Sequence, residues 1–279
     1  MEIERDRIIR VMGIVNLTDD SFFEGSRVLG PDGRPDPGLL LPRIDSMMSE
    51  GADILDLGAC STRPGSDSVS EEVEWSRLEP ALRLIASERP GLSLSIDTFR
   101  PGVVSRAFDV VGPFMVNDVS GGSPSMWRLV GDLGLEYVAM HTRGTPKDMA
   151  SLTDYDDVVA AVESFFEDVA GVAEANGVRD WILDPGFGFA KTVSQNWRLL
   201  DRMAVFKRFG RPVLAGLSRK SFLYRPMGLS PADVLPATCA ANLVALRNGA
   251  DVLRVHDVAA ARQTIEVYKS LSIWTEEIS

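Results

Sequence analysis

The chain has 279 residues, 45% of them hydrophobic, and a formal net charge of −11. Length and composition suit one large globular domain, because (β/α)₈ barrels reach this size as a single unit. The acidic balance argues against non-specific nucleic-acid binding and against an anionic membrane surface, and no apolar run approaches the roughly 18 residues of a membrane span.

The N-terminal MEIERDRIIRVMGIV carries charges up to a short apolar run. It lacks the longer apolar core and small-residue cleavage site of a secretory signal, so a cytoplasmic location is expected. Cys60 and Cys239 have no paired spacing and read as reduced thiols. No zinc pattern is present, and two histidines are too few for a His-rich metal site.

Taken in chain order, short apolar runs alternate with segments of helical periodicity. A strand is expected over 7–16 (RIIRVMGIVN), then a Gly- and Pro-rich stretch over 25–38 read as a mobile loop, then a short helix over 39–49. Strands over 52–59 (ADILDLGA) and 92–98 (LSLSIDT) follow, with helices over 71–87 and 101–111. Next come strands over 114–120 (FMVNDVS) and 136–142 (EYVAMHT), a helix over 156–176, a strand over 181–186 (WILDPG) and a helix over 195–209. The last units are a strand over 212–218 (PVLAGLS), a helix over 232–248, a strand over 252–257 (VLRVHD) and a helix over 258–271. Near-continuous apolar runs of this kind are how strands buried on both faces read. Ser230-Pro231-Ala232-Asp233 has the composition of a helix start, and Gly51, Gly177 and Gly249 stand where helices are expected to stop. Strand–helix alternation, repeated about eight times, predicts an α/β fold, a (β/α)₈ TIM barrel in one domain over 1–279. An open doubly wound sheet ranks second, since N-L-T-D-D-S-F, not a Gly-rich turn, follows the first strand.

Barrel chemistry sits where strands end. Nearly every strand end here carries polar side chains: Asn16, Ser61-Thr62-Arg63, Asp97, Asn117-Asp118, His141, Asp184, Ser218-Arg219-Lys220, and Arg254 with His256. Singly, Ser61, Asp97 or Ser120 reads as a helix cap, and Lys191 or Arg219 as a solvated loop charge. Together they form two classes. Asp97, Asn117 and Asp184 are acceptors suited to a flat heterocycle that presents an amino group beside a ring N–H. Arg63, Lys191, Arg219, Lys220, Arg254 and His256 are cationic and, in an acidic protein, point to a phosphate or pyrophosphate. Arg254 and His256 alternate on one strand and so share a face, expected to be the barrel interior. The loop N-L-T-D-D-S-F-F-E-G offers oxygen ligands for Mg²⁺ and an aromatic lid candidate, Phe22, while S-T-R-P-G offers hydroxyls and a guanidinium.

Seven motifs, met in order at barrel spacing, carry a family likeness: V-M-G-I-V-N-L-T-D-D-S-F, D-L-G-A-C-S-T-R-P-G, S-I-D-T, N-D-V-S-G-G, D-P-G-F-G-F-A-K, S-R-K-S-F and R-V-H-D-V. In these the chain resembles dihydropteroate synthase, a family of pterin-binding enzymes and sulfonamide targets. The resemblance implies a transferase of folate biosynthesis. It would condense 6-hydroxymethyl-7,8-dihydropterin pyrophosphate with p-aminobenzoate by an SN1-like loss of pyrophosphate. It implies a pterin pocket of Asp97, Asn117, Met140, Asp184, Phe189 and Lys220. The pyrophosphate site would be Asn16, Thr62, Arg63, Arg254 and His256, with Mg²⁺ at Asn16. The p-aminobenzoate pocket would be Phe22, Thr62, Pro64, Phe189, Lys220 and Ser221, and catalysis would rest on Asp97, Asp184, Lys220, Arg63 and His256. A homodimer through the later helices is implied as well.

Two departures from the family pattern stand out. Asp19 replaces the Pro of T-P-D-S, and Ala59-Cys60 replaces the Gly-Glu of G-G-E-S-T-R-P. The first frees a φ angle, and the second removes a carboxylate beneath the second loop. Two other readings share the pterin-side acids. A methyltetrahydrofolate methyltransferase of corrinoid systems is expected to lack S-R-K-S and R-V-H-D, and a catalytically silent pterin-binding subunit to lose phosphate donors.

Overall fold

The computed structural model describes residues 7–18, 28–30, 33–61 and 69–276, with side chains as far as Leu271. Eight strands form one parallel sheet: β1 Arg10–Asn16, β2 Ile54–Gly58, β3 Leu94–Asp97, β4 Met115–Asp118, β5 Glu136–Met140, β6 Trp181–Asp184, β7 Leu214–Ala215 and β8 Val252–Val255. Their order is β6-β5-β4-β3-β2-β1-β8-β7, and a parallel bridge between Leu183 and Val213 draws the two edge strands into a nearly closed barrel. Nine α-helices lie among the described residues: α1 Pro37–Ser49, α2 Glu71–Glu88, α3 Pro101–Val111, α4 Pro124–Leu133, α5 Val158–Ala175, α6 Val193–Asp201, α7 Ser221–Tyr224, α8 Leu235–Arg247 and α9 Val258–Glu276. No described helix is long and apolar enough to cross a membrane, and both cysteines are free.

Two residues per pleat decide what faces inward. Met12, Ile54, Met115, Val138, Ile182, Leu214 and Val252 form a separate apolar cluster that plugs the barrel floor. One step further along several of those faces the residues change character, to Asp56, Asn117, Met140, Asp184 and Arg254. A polar tier therefore rests on an apolar one. The outward side chains, among them Leu55, Ile96, Val116 and Leu183, join the helix-facing core with Ile44, Leu82 and Phe166.

Several elements differ from the sequence-based expectation. The helix α4 falls in a span where none was expected, although Ser123 caps it by accepting from Met126 N at 3.1 Å, Pro124 opens it and Gly134 (φ 63°) ends it. The segment 195–209 divides: α6 carries a Thr192/Gln195 capping box, and residues 203–209 tighten into 3₁₀ turns. Asn248 Nδ2 donates to the Leu200 carbonyl at 2.7 Å and so satisfies the end of α6. The helix α8 begins at Leu235 rather than at the Ser230 start. Pro236 suits a start there, because a proline fits best in a helix's first turn. Ser230 instead closes a turn, donating to Asp233 Oδ2 at 2.6 Å. Lastly, the described part of 25–38 is a short hairpin, with Leu29 bridging Pro35 and Asp36 capping α1 through Gly38 N at 2.7 Å. The expected stops at Gly51, Gly177 and Gly249 hold, with φ of 99°, 70° and 96°.

Candidate active site

At the carboxyl ends of β4 to β8 opens a cleft lined by Asn117, Val119, Met140, Asp184, Phe187, Phe189, Gly216, Lys220 and Arg254. Six of the nine were expected from the sequence as ring- or anion-binding groups. Beside the cleft, Arg254 Nη2 donates to Asp97 Oδ2 at 2.6 Å, so residues 157 apart in the chain meet at one rim. The expectation that β8 aims Arg254 into the barrel is borne out.

Arg254 is also held from below. Its Nε donates to Oδ2 of Asp56 at 2.6 Å, and Asn117 Nδ2 donates to the same oxygen at 3.1 Å. Asp56 is fully buried. The sequence reading left Asp56 out of the site. An acid inside the otherwise apolar run I-L-D-L was the available signal. Burial raises the Asp97 carboxyl above the usual carboxylate range, and the neighbouring Arg254 only partly offsets this. Burial lowers the Arg254 pKa, but Asp56 and Asp97 outweigh it and leave a net rise. The expected separation of acids on the ring side from cations on the phosphate side is thus not sharp. Arg254 sits among the acids, because two buried carboxylates need a counter-charge.

On the opposite wall Asp184 Oδ1 accepts from Gly186 N at 2.8 Å, and burial raises its pKa. A Cβ on Gly186 (φ +70°) would overlap the His141 carbonyl oxygen, so this turn requires glycine. Lys220 Nζ lies 4.3 Å from the centre of the Phe189 ring. Burial, then Arg254, brings its pKa down to about 8, against the pull of Asp184 and Asp97. Its alkyl stem passes over Gly188, where a Cβ would come within 3.2 Å of Cδ.

Two expected cations turn inward instead. Lys191 Nζ donates to the carbonyls of Gly186 at 2.9 Å, Phe189 at 3.0 Å and His141 at 3.3 Å, and clamps the D-P-G-F-G-F-A-K loop. Arg219 makes a bidentate pair with Asp257 at 3.0 and 2.8 Å and donates to Pro231 O at 2.7 Å. Its guanidinium ties the S-R-K-S loop to Asp257, two residues beyond β8, and to the turn before α8. Neither lines the cleft. Asp118 faces the helix layer, accepting from Tyr137 OH at 2.8 Å and from Ser120 N at 2.7 Å. His141 is buried edge-on against Phe165, with centroids 5.3 Å apart.

His256 stands at the end of β8. Its backbone N–H donates to Ser218 Oγ at 3.2 Å, and the same oxygen lies 3.0 Å from its Nδ1. The Ser218 hydroxyl, with one hydrogen and two lone pairs, can either donate to Nδ1 or accept from it while accepting from the backbone. Burial, then Arg254, lowers the imidazole pKa to about 3. Asn16 ends β1, half-buried and paired in register with Gly58, which in turn pairs with Asp97. Ser221 opens α7 beside Lys220, half-buried and outside the cleft lining. Phe22, Thr62, Arg63 and Pro64 lie outside the described residues.

Residues 12–256 match the family model of the pterin binding enzymes. The chain is 37% identical to dihydropteroate synthase of Escherichia coli K12, over 93% of this chain and 89% of that one. It superimposes on the crystal structure of Yersinia pestis dihydropteroate synthase with a sulfonamide drug complex at a TM-score of 0.86, with 31% identity and coverage of 95% and 94%. The Thermus thermophilus enzyme in complex with 4-aminobenzoate gives 0.83, with 39% identity and 96% coverage of each chain.

The chain belongs to the dihydropteroate synthase family.

Membership makes it a pterin-binding transferase of folate synthesis. Against the family pattern, the missing carboxylate at Cys60 has a counterpart in space. Glu74 of α2 is fully buried and ion-paired with Arg100, which also donates to the Val69 carbonyl beyond the second loop. Cys60 lies close enough that burial, then Glu74, raises its thiol pKa. The other departure, Asp19, lies outside the described residues.

Both histidines are held neutral by burial, His141 even more firmly than His256. Nitrogen-correlated NMR of the free protein is therefore expected to show two imidazoles that do not titrate between about pH 5 and 8. A His256 resonance that moves with a midpoint near 6.5 would remove this assignment.

Proposed function

We propose that the chain joins 6-hydroxymethyl-7,8-dihydropterin pyrophosphate to p-aminobenzoate, forming 7,8-dihydropteroate and releasing pyrophosphate. The observation that carries this reading is the meeting of Asp97, Asn117, Asp184, Lys220 and Arg254 around one cleft in a member of this family. A Thermus thermophilus relative has been crystallised in complex with 6HMPPP and another crystal of it with 4-aminobenzoate.

Asp97, Asn117 and Asp184 take the amino and N–H edge of the pterin, Lys220 donates to the ring, and Met140 and Phe189 wall it. Asp97 Oδ1 is buried without a partner among the described residues and suits an incoming N–H. Arg254 and His256, with Asn16, Thr62 and Arg63, take the diphosphate. Phe22, Thr62, Pro64, Phe189, Lys220 and Ser221 surround p-aminobenzoate. The methylene C–O bond breaks with both electrons going to pyrophosphate. The resulting pterin cation is stabilised by Asp97 and Asp184. The arylamine lone pair then forms the C–N bond, and the nitrogen sheds one proton. No strong general base is required, because the amine is already nucleophilic.

Asn16 supplies one neutral oxygen at the rim, and no cluster of three His, Cys, Asp or Glu is present among the described residues. That donor set fits Mg²⁺, which takes few protein ligands and completes its shell with phosphate oxygens and water. Bound there, Mg²⁺ would neutralise charge developing on the leaving group. We place the enzyme in the cytoplasm and, for its assembly, propose a homodimer through the later helices. Val193 and Trp197 of α6, Met227 and Leu229 after α7, and Val244 of α8 all expose apolar side chains, Trp197 to 43%.

Purified protein given both substrates and Mg²⁺ is expected to release equimolar dihydropteroate and pyrophosphate. Asp97→Asn is expected to lower kcat by roughly 10²–10³-fold. Near-normal turnover in that variant would refute cation stabilisation by Asp97. Affinity for the pterin diphosphate is expected to fall as pH rises through about 8, where Lys220 loses its proton. Lys220→Gln is expected to abolish that limb, and its persistence in the variant would assign the limb to another group. Sedimentation is expected to give a dimer that Trp197→Glu converts to monomer, whereas a monomeric wild type rules the interface out.

A further inference from the structure

Asp56 of β2 has no place in the contacts proposed above. It is fully buried and is not among the residues that line the cleft. It nevertheless binds two groups that do line it. One oxygen, Oδ2, accepts from Arg254 Nε at 2.6 Å and from Asn117 Nδ2 at 3.1 Å, and Arg254 Nη2 lies 2.6 Å from it as well. Asp56 stands two residues after Ile54 of the floor cluster, as Asn117 stands two after Met115 and Arg254 two after Val252. Two strands, β4 and β8, thus send their upper-tier residues to one carboxylate on a third, β2.

We infer that Asp56 is a positioning residue that sets the anion-side donor Arg254 and the ring-side acceptor Asn117 from a single buried oxygen.

The chemistry of the two contacts explains why one acid serves both. A guanidinium presents Nε–H and one Nη–H on the same edge, so pinning that edge fixes the plane of the group. In Arg254 this edge faces Asp56, and Nη2 is shared with Asp97. Nη1 takes no partner among the described residues and is the donor left for a diphosphate oxygen. Asn117 Nδ2 is equally committed to Asp56. Its amide therefore turns Oδ1, an acceptor, toward the ring. Without Asp56 the amide is free to flip and present the wrong polarity. A fully buried carboxylate is costly to retain, and two pinned ligands account for its retention.

With the pterin diphosphate as substrate, as proposed above, Asp56→Asn is expected to raise the KM for that substrate. The change is on the order of tenfold to a hundredfold, the scale of a displaced binding group. The KM for p-aminobenzoate is expected to stay within about twofold, since neither Arg254 nor Asn117 borders its pocket. In parallel, nitrogen NMR is expected to show a slowly exchanging Arg254 Nε–H in the wild type, assigned by its loss in Arg254→Lys, and absent in Asp56→Asn. Equal changes in both KM values, or an Nε–H that survives in Asp56→Asn, overturn the inference. If Asp56→Asn does not fold, Asp56→Ala is used. Added formate is then expected to recover the pterin KM while chloride does not, and equal recovery by both salts overturns it. A wild type that forms no dihydropteroate defeats the reaction proposed above. The Arg254 resonance still decides the anchor in that case.

Discussion

A guanidinium enclosed by two carboxylates holds the centre of this barrel together. Arg254 lies within 2.6 Å of both Asp56 and Asp97, on strands that the chain order keeps far apart. Each of the three would be costly to bury alone. Together they compensate one another and leave a guanidinium whose orientation is constrained from two sides. The floor beneath them is dry: Met12, Ile54, Val138 and Ile182 offer no competing hydrogen bond. In such surroundings charges act over their contacts with little screening. The site is consequently arranged before a substrate arrives, the condition under which electrostatic stabilisation costs least during reaction.

The loops that border the cleft are held by cations of a different kind. Lys191 gathers three carbonyls of its own neighbourhood, and Arg219 reaches across to Asp257 and the Pro231 carbonyl. Both loops contain a non-glycine residue at positive φ, Ala190 at 47° and Arg219 at 56°. Such conformations are unfavourable for an L residue and persist where surrounding contacts over-determine them. Here those contacts are the Lys191 clamp and the Arg219 pair. The strained turns carry Phe189 and Lys220, the stacked pair on the cleft wall. The cations that looked like phosphate ligands thus do their work on the backbone that supports the ligands.

The contrast between Lys191 and Lys220 shows why residue type alone misleads. Lys191 is buried and Lys220 half-buried, and desolvation brings their pKa values down to about 7 and about 8. Lys191 has carbonyls on three sides, whereas Lys220 faces an aromatic ring and the cleft. Only what surrounds the ammonium separates a structural clamp from a donor to substrate. Glu74 makes the same point for Cys60. A buried acid on a helix takes the neighbourhood where the family pattern has an acid on the loop.

By itself the sequence determined the barrel, because strands buried on both faces read as apolar runs and the alternation with helices repeats. It determined most of the cleft too, since polar residues at strand ends have no stabilising reason to be there. It determined the inward face of Arg254, because a strand's pleat has period two. Tertiary structure alone decided the rest. The partner of each charge is set by inter-strand register and loop closure, which bring Asp56 under Arg254 across 198 residues and turn Lys191 and Arg219 inward. Local pattern carries no information about such distant neighbours. The start of α8 shows the converse: Pro236 was a local signal in plain view, and its preference for a first turn overruled a well-formed cap six residues earlier.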